Sequence, residues 1–146
     1  LYVKKKVSKI TGPEGVMGTV RKNIHRELSR GMEAGESIDQ LADRVKSVFK
    51  VAKTRAKTIA RTEVVGASNK GRSEALKESG FKKKKWFTAM DENVRETHVE
   101  MGSSKAIPVE DDWELPSGEM IAHPGDYSGP PEEIINCRCI EVPVEK

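Results

Sequence analysis

The sequence KKWFTAM, at residues 84–90, marks the point where the pattern of the chain changes. Its side chains alternate between two faces, with Trp86 on one and Phe87 on the other, and this period of two is typical of a strand. Gly80 lies just before the stretch, at a position where glycine commonly ends a helix. The stretch therefore predicts that a helical first part gives way here to a sheet.

Upstream of this strand, apolar residues recur every three or four positions, which is the period of a helix. The pattern in residues 13–32 predicts a first helix that ends near Gly35, and a second helix is predicted to begin at a capping box formed by Ser37 and Gln40. A third helix is expected from about Lys53 to the glycine at position 80. Small residues along it would let a neighbouring element approach closely: Ala56, Ala60, Gly66 and Ala67.

Downstream of the strand, the predicted elements are short. Asn93 and Glu96 form a second capping box, which predicts a helix with His98 on its inward face. Residues 113–121 indicate a hairpin, and residues 135–144 indicate a closing strand. This order predicts an α+β fold with about three N-terminal helices, then a short helix and a small antiparallel sheet.

Length and hydropathy limit the class of protein. The chain has 146 residues, 36% of them hydrophobic and 5% aromatic, which suits one small domain with a modest core. It starts at Leu1 and has no apolar run of signal-peptide or membrane length, so we expect neither secretion nor membrane insertion and expect a piece of a longer protein.

The net charge of +3 hides a strong asymmetry. Residues 1–90 contain 22 Lys and Arg against 9 Asp and Glu, a net charge of +13, and residues 91–146 contain 4 against 14, a net charge of −10. A basic half can bind phosphate backbone or an acidic protein surface. The alternative is that the two halves attract each other within one fold.

Four consecutive lysines precede Trp86 and are the candidate DNA-binding residues: Lys82, Lys83, Lys84 and Lys85. Basic residues beside an aromatic ring suit nucleic acid, especially single strands. A solvated basic edge of the sheet is the competing interpretation.

Cys137 and Cys139 are the two cysteines of the chain, and on a strand they would share one face while Arg138 occupied the other. Together with His98 and His123 they could form a Cys2His2 zinc site. Structural zinc sites usually have two to four residues between paired cysteines, and here there is one. The sequence therefore favours a core filled by two thiols, with no cofactor, over a zinc site.

The same histidines support a catalytic alternative. His98 and His123 could act as general acid and base, with Arg95 or Lys85 stabilising a phosphoryl oxyanion, as in a metal-independent nuclease. A lone inward histidine on an apolar helix face is more often a hydrogen-bonded core residue. We therefore expect a protein without enzymatic activity.

Three strings, taken in order, carry a family resemblance: AKTIARTEVVGASNKGR at 56–72, KKWFTAMDENVRETHVEMGSS at 84–104 and HPGDYSGPPEEIINCRC at 123–139. They resemble the phage Mu F-like family of minor head and head-morphogenesis proteins. The resemblance covers roughly residues 37–144, so we expect a variable helical arm at 1–36 and the family domain at 37–146.

The resemblance implies a virion protein inside the capsid, present in the host cytoplasm during assembly. It implies contacts with the portal protein, other head proteins and packaged DNA, and a role in head assembly or DNA delivery, without a membrane. Such domains also occur joined to toxin modules, which keeps a toxin-type enzyme as the alternative. The signature positions that the resemblance singles out are Arg61, Thr62, Glu63, Trp86, Asp91, His98, Gly102, Asn136, Cys137 and Cys139.

Overall fold

The computed structural model describes residues 16–145, and the chain divides into two compact units, residues 1–60 and 61–146. The first 15 residues of the predicted N-terminal arm lie outside the described residues. Within the described range, no helix has both the length and the apolar character needed to cross a bilayer.

The first unit is helical. Its elements are α1 (Val16–Glu33), α2 (Ile38–Val48) and the start of α3 (Lys53–Glu78). The capping box that predicted α2 is confirmed, because the Ser37 hydroxyl accepts from the Gln40 main-chain N–H and the Gln40 side chain accepts from the Ser37 N–H. Apolar side chains of α1 and α2 form the buried face of this unit: Ile24, Leu28, Leu41, Ala42 and Val45.

Helix α3 is continuous for 26 residues. It passes through Gly66 and Gly71 without a break, and the chain leaves it at Gly80, whose φ of 79° is a left-handed conformation that glycine adopts without strain. The predicted third helix and its glycine stop are therefore confirmed.

The second unit contains two small antiparallel sheets. Strand β1 is central in the larger sheet, between β2 and β5, and β3 pairs with β4 in the smaller one. Gly118, with a φ of 88°, lies in the turn of the β3–β4 hairpin, as predicted. The strands are β1 (Lys83–Phe87), β2 (Ile107–Pro108), β3 (Trp113–Glu114), β4 (Met120–Ile121) and β5 (Ile140–Glu145).

Two further helices belong to this unit, α4 (Glu96–Ser103) and α5 (Pro131–Ile134). The predicted capping box at Asn93 is wrong, because α4 follows Arg95, which makes no side-chain cap. The Asn93 main-chain N–H donates to the Asp91 carboxylate instead, so Asn93 belongs to the preceding turn. The described residues thus contain helices followed by small antiparallel sheets, and the predicted α+β class is confirmed.

The core of the second unit lies between β1, α4 and the hairpin. Trp86 meets Trp113 edge to face, with ring centroids 5.5 Å apart. Both cysteines belong to this core, which consists of Trp86, Met101, Trp113, Leu115, Ile121, Cys137 and Cys139.

Candidate functional site

His98, Cys137 and Cys139 come together in the core of the second unit. Helix α4 carries His98 inward, as predicted, and the imidazole is 2% exposed. Its Nδ1 lies 3.3 Å from Cys139 Sγ and 3.7 Å from Cys137 Sγ. Two sulfurs therefore face one imidazole nitrogen.

The chain segment around the cysteines is not part of the closing strand, contrary to the prediction. Strand β5 begins at Ile140, and the residues before it form a turn in which Asn136 has a φ of 60°. The expected alternation nevertheless holds, since both cysteines are buried and Arg138 points outward. The Arg138 guanidinium donates to both oxygens of Asp91, at 2.6 and 2.5 Å.

Glu133 lies behind the imidazole. Its Oε2 is 3.0 Å from His98 Nε2, a close contact without the direction of a hydrogen bond, and it accepts from the Thr97 hydroxyl at 2.9 Å. The sequence patterns gave no signal for this residue beyond its place in a short Pro-Glu-Glu segment, four positions before Cys137. The hypothesis that a buried His98 would hydrogen-bond to a group such as Asp91 is wrong for Asp91, because that carboxylate accepts from Arg138.

Asn69 of α3 binds the segment that contains the two cysteines, residues 137–139. Its side-chain amide is buried and donates to the main-chain oxygens of Cys139, at 2.8 Å, and Pro124, at 2.9 Å. A buried amide that donates two hydrogen bonds in this way restricts both chain segments to one arrangement. The sequence placed Asn69 in a helix but gave no signal of this role.

The two thiols titrate as a pair. A hydrogen bond from Cys139, followed by one from His98, lowers the pKa of Cys137 to about 5 despite its burial. The interaction with Cys137, together with burial, raises the pKa of Cys139 above its ordinary value. The pair therefore loses a first proton readily and a second one with difficulty.

Several signature residues surround this centre. From α3, Arg61 donates to the Asn136 side chain and the Thr62 hydroxyl accepts from the Asn136 N–H, both at 2.9 Å. Glu63 accepts a short hydrogen bond from Tyr127. Asn136 thus joins α3 to the turn that precedes the cysteines.

Trp86 and Gly102 pack close to the centre as well. The Trp86 ring meets the His98 ring edge to face, with centroids 5.1 Å apart. Gly102 allows α4 to lie close to Thr88, which follows β1, because a Cβ at position 102 would be 2.9 Å from Thr88 Cγ2.

The structure does not assemble the residues of the catalytic alternative. His123 is buried, with Nδ1 3.1 Å from the Pro124 oxygen, and it is not part of the cluster formed by His98 and the cysteines. Arg95 donates from both terminal nitrogens to the main-chain oxygens of Glu132 and Ile135, each at 2.6 Å. The guanidinium therefore has a structural partner at each terminal nitrogen.

The lysine run is split between two environments. Lys82 and Lys83 are exposed and Lys85 is half-buried, but Lys84 is 1% exposed, with Nζ 3.4 Å from Glu141 Oε2. The prediction that Lys84 belongs to a DNA-binding edge is wrong, because the alternation of β1 turns this side chain into the core. Glu141 also accepts from the Trp113 indole at 3.0 Å.

A shallow cleft leads to the cysteines and has a volume of about 10 Å³. That space is on the order of what a single water molecule needs. The lining residues are Asn93, Val94, Arg95, His98, Asn136, Cys137, Arg138 and Cys139.

Comparison with known proteins gives a consistent family match. A family model described as Phage Mu protein F like protein matches residues 22–142. The chain is 32% identical over 121 residues to the uncharacterized protein YqbB of Bacillus subtilis, which is 80% of this chain and 39% of that protein. It is 28% identical over 120 residues to minor head protein GP7 of Bacillus phage SPP1, which is 80% of this chain and 38% of GP7.

A relative with a different name shares the same region. The chain is 30% identical over 127 residues to NAD(+)–arginine ADP-ribosyltransferase EFV of Enterococcus faecalis, which is 84% of this chain and 25% of that protein. The chain thus spans between a quarter and two fifths of the length of these three relatives. No solved structure matches it.

Proposed function

The chain belongs to the Phage Mu protein F like family, and we propose that it is the module by which a phage minor head protein binds other head proteins, the portal among them, during capsid assembly. It acts by binding and not by catalysis. The protein is present in the host cytoplasm during assembly and lies inside the finished capsid. There it contacts the packaged DNA and takes part in its delivery.

The observation that carries this proposal is the similarity to minor head protein GP7, which extends over 80% of the chain. The same region is similar to part of an ADP-ribosyltransferase of Enterococcus faecalis. A region shared by proteins with such different names fits a common binding module better than a common reaction.

The geometry around His98 supports a binding role. The imidazole is 2% exposed and the cleft beside it is about 10 Å³, whereas sites for nucleotide-sized ligands are usually about 300 Å³ or larger. The second histidine of the catalytic alternative lies outside the cluster, and Arg95 is bonded to two main-chain oxygens. These contacts favour a structural centre.

The contact with DNA rests on charge. Lys82 and Lys83 are exposed at the start of β1, and residues 1–90 carry a net charge of +13. Exposed basic residues bind duplex DNA weakly and without sequence preference.

The proposal is tested in cells that produce phage heads with the full-length protein. We expect the protein in purified heads, at fewer copies than the major capsid protein, and in complexes isolated through the portal. An Arg61→Ala, Asn136→Ala protein should be depleted from heads, since these residues join α3 to the cysteine turn, while a Lys70→Ala protein, changed at an exposed position of the same helix, should be incorporated normally. Absence of the wild-type protein from both heads and portal complexes would overturn the proposal.

A further inference from the structure

Three metal-binding side chains of the second unit converge on one point. The ligand atoms of His98, Cys137 and Cys139 all lie within 4.8 Å of one another, and all three residues are buried. A neutral imidazole nitrogen has one lone pair, so His98 Nδ1 cannot accept a good hydrogen bond from two thiols at once. One cation at the centre would satisfy all three groups.

The two sulfur–nitrogen distances are close to those of a zinc site. Tetrahedral zinc, with a Zn–S distance of about 2.3 Å and a Zn–N distance of about 2.0–2.1 Å, holds a sulfur and a nitrogen ligand about 3.6 Å apart. The observed distances from His98 Nδ1 to the two sulfurs are 3.3 and 3.7 Å. A thiolate–imidazole set suits zinc among the common biological cations.

The short spacing between the cysteines, which weighed against a metal in the sequence, is not a geometric obstacle. The turn at Asn136 precedes both cysteines, whose sulfurs lie on the same side, near His98 Nδ1. The Cys139 N–H lies 3.4 Å from Cys137 Sγ as a donor. A main-chain N–H donated to sulfur stabilises the thiolate form that a metal requires.

Glu133 stands where a supporting carboxylate is found in histidine–metal sites. Its Oε2 is 3.0 Å from His98 Nε2, on the side of the ring away from the sulfurs. A carboxylate there favours a proton on Nε2 and leaves the Nδ1 lone pair for a metal. The Thr97 hydroxyl in turn holds the carboxylate in place.

The fourth coordination position faces the cleft. Among the described residues the ligand group has three members, and the cleft beside them holds about one water molecule. Arg95 and Arg138 line the same cleft, and Arg138 is paired there with Asp91. A water molecule there would complete four-coordination.

From these contacts we propose that the protein binds one zinc ion through His98 Nδ1, Cys137 Sγ and Cys139 Sγ, with Glu133 as the positioning residue and water in the fourth position. Binding of Zn²⁺ displaces the protons that remain on the two sulfurs and forms two Zn–S bonds and one Zn–N bond. The ion would join α4 to the residues before β5, so its removal should destabilise the second unit.

The first experiment is metal analysis of the full chain, purified under reducing conditions without a polyhistidine tag or added metal. We expect about one zinc per chain, and a lower melting temperature after removal of zinc by a chelator, because metal binding and folding are coupled. Replacement by Co²⁺ should give a sulfur-to-cobalt charge-transfer band and the intense visible bands of four-coordinate cobalt. Folded protein with reduced thiols that contains no zinc and gives no charge-transfer band with Co²⁺ would overturn the proposal.

Variants assign the ligands and the carboxylate. Cys139→Ser should reduce the charge-transfer intensity per bound cobalt to about half, since that intensity reports on the number of Co–S bonds. Glu133→Gln should weaken zinc affinity by about 10- to 100-fold with the cobalt band retained. Glu132→Gln, at the exposed neighbouring position, is the matched control and should leave the affinity unchanged. Equal affinities in the two glutamine variants would remove Glu133 from the proposal, and an undiminished band in the serine variant would contradict the ligand set.

Discussion

Gly66 of α3 and the main chain of Gly125 are in direct contact. A Cβ at position 66 would lie 2.8 Å from the Gly125 carbonyl oxygen, and Gly125 itself has a φ of 76°. The contact joins the main chain of Gly66 to the main chain of Gly125, so neither partner can move away as a flexible side chain could.

Two glycines of one helix should therefore respond in opposite directions to the same substitution. Gly71 has open space around it, so Gly71→Ala should stabilise the protein by about 0.5–1 kcal/mol through helix propensity. Gly66→Ala gains the same propensity but is expected to lose about 1–3 kcal/mol to overpacking. Urea unfolding of both variants measures the difference, and equal stabilisation by the two alanines would show that the contact is not tight.

His98→Ala should destabilise the fold by about 1–3 kcal/mol, measured by urea unfolding in the presence of a chelator. The substitution leaves the buried Glu133 carboxylate without its imidazole neighbour and removes the edge contact with Trp86. His25→Ala, at an exposed position, is the control and should change stability by less than about 0.5 kcal/mol.

Alanine variants of the two buried histidines, His98 and His123, test the catalytic alternative. We expect the wild-type protein to cleave neither labelled DNA nor labelled RNA. A wild-type cleavage activity that disappears in His98→Ala and His123→Ala, with melting temperatures unchanged, would establish a catalytic site.

The pH dependence of the first unit should report on Glu36. Two hydrogen bonds from the Arg44 guanidinium, at 2.6 and 2.7 Å, hold the pKa of Glu36 below its ordinary value of 4.5. A carboxyl whose pKa is lowered by folding stabilises the protein above the unfolded pKa and loses that effect as the pH falls through the folded pKa. The melting temperature of Glu36→Gln should therefore lie below that of wild type at neutral pH and approach it in acid.

Glu33→Gln, at an exposed position of α1, provides the comparison for that titration. Its melting temperature should follow the wild-type curve at every pH. A gap between wild type and Glu36→Gln that stays constant well below pH 4.5 would contradict the assignment.

Weak binding to duplex DNA should fall steeply with salt, and Lys82 and Lys83 should contribute to it. Replacing both with glutamine is expected to reduce the slope of log affinity against log salt by about 2, because each lysine neutralises about one phosphate. The double arginine variant keeps the charge and should keep the slope. If duplex DNA does not bind at low salt, the basic half is better explained as a surface for an acidic protein.

Features that depend on neighbouring residues could be predicted from the sequence. The box at Ser37, the stop at Gly80 and the hairpin at Gly118 each rest on interactions within about four positions, and all are confirmed. The box predicted at Asn93 failed because Asp91, two positions earlier, competes for the same main-chain N–H.

Long-range partners could not be predicted. Lys84 is buried because Glu141 and Trp113 surround it, and no local pattern distinguishes it from the lysines beside it. Glu133 contacts one nitrogen of the His98 imidazole and the two cysteines contact the other, and this arrangement requires residues that are far apart in the sequence to come together. The sequence therefore suggested three members of the candidate centre but not the carboxylate behind it.

Strand β1 has one register in the structure, but its sequence would offer similar residues to a second one. Moving the strand by one position would place Lys85 and Phe87 where Lys84 and Trp86 now lie, again a lysine and an aromatic ring. Glu141 would meet a lysine in either register, so the ion pair does not favour one register over the other. The Trp86 indole, which packs against His98 and Trp113, therefore determines the register. We expect Trp86→Phe to make the two alternatives close in energy, visible as doubled amide signals along β1 and β5 in NMR spectra, whereas Phe87→Leu should give a single set. In that case the side chain of Trp86 alone would determine the register of β1 in a segment whose neighbouring residues are similar.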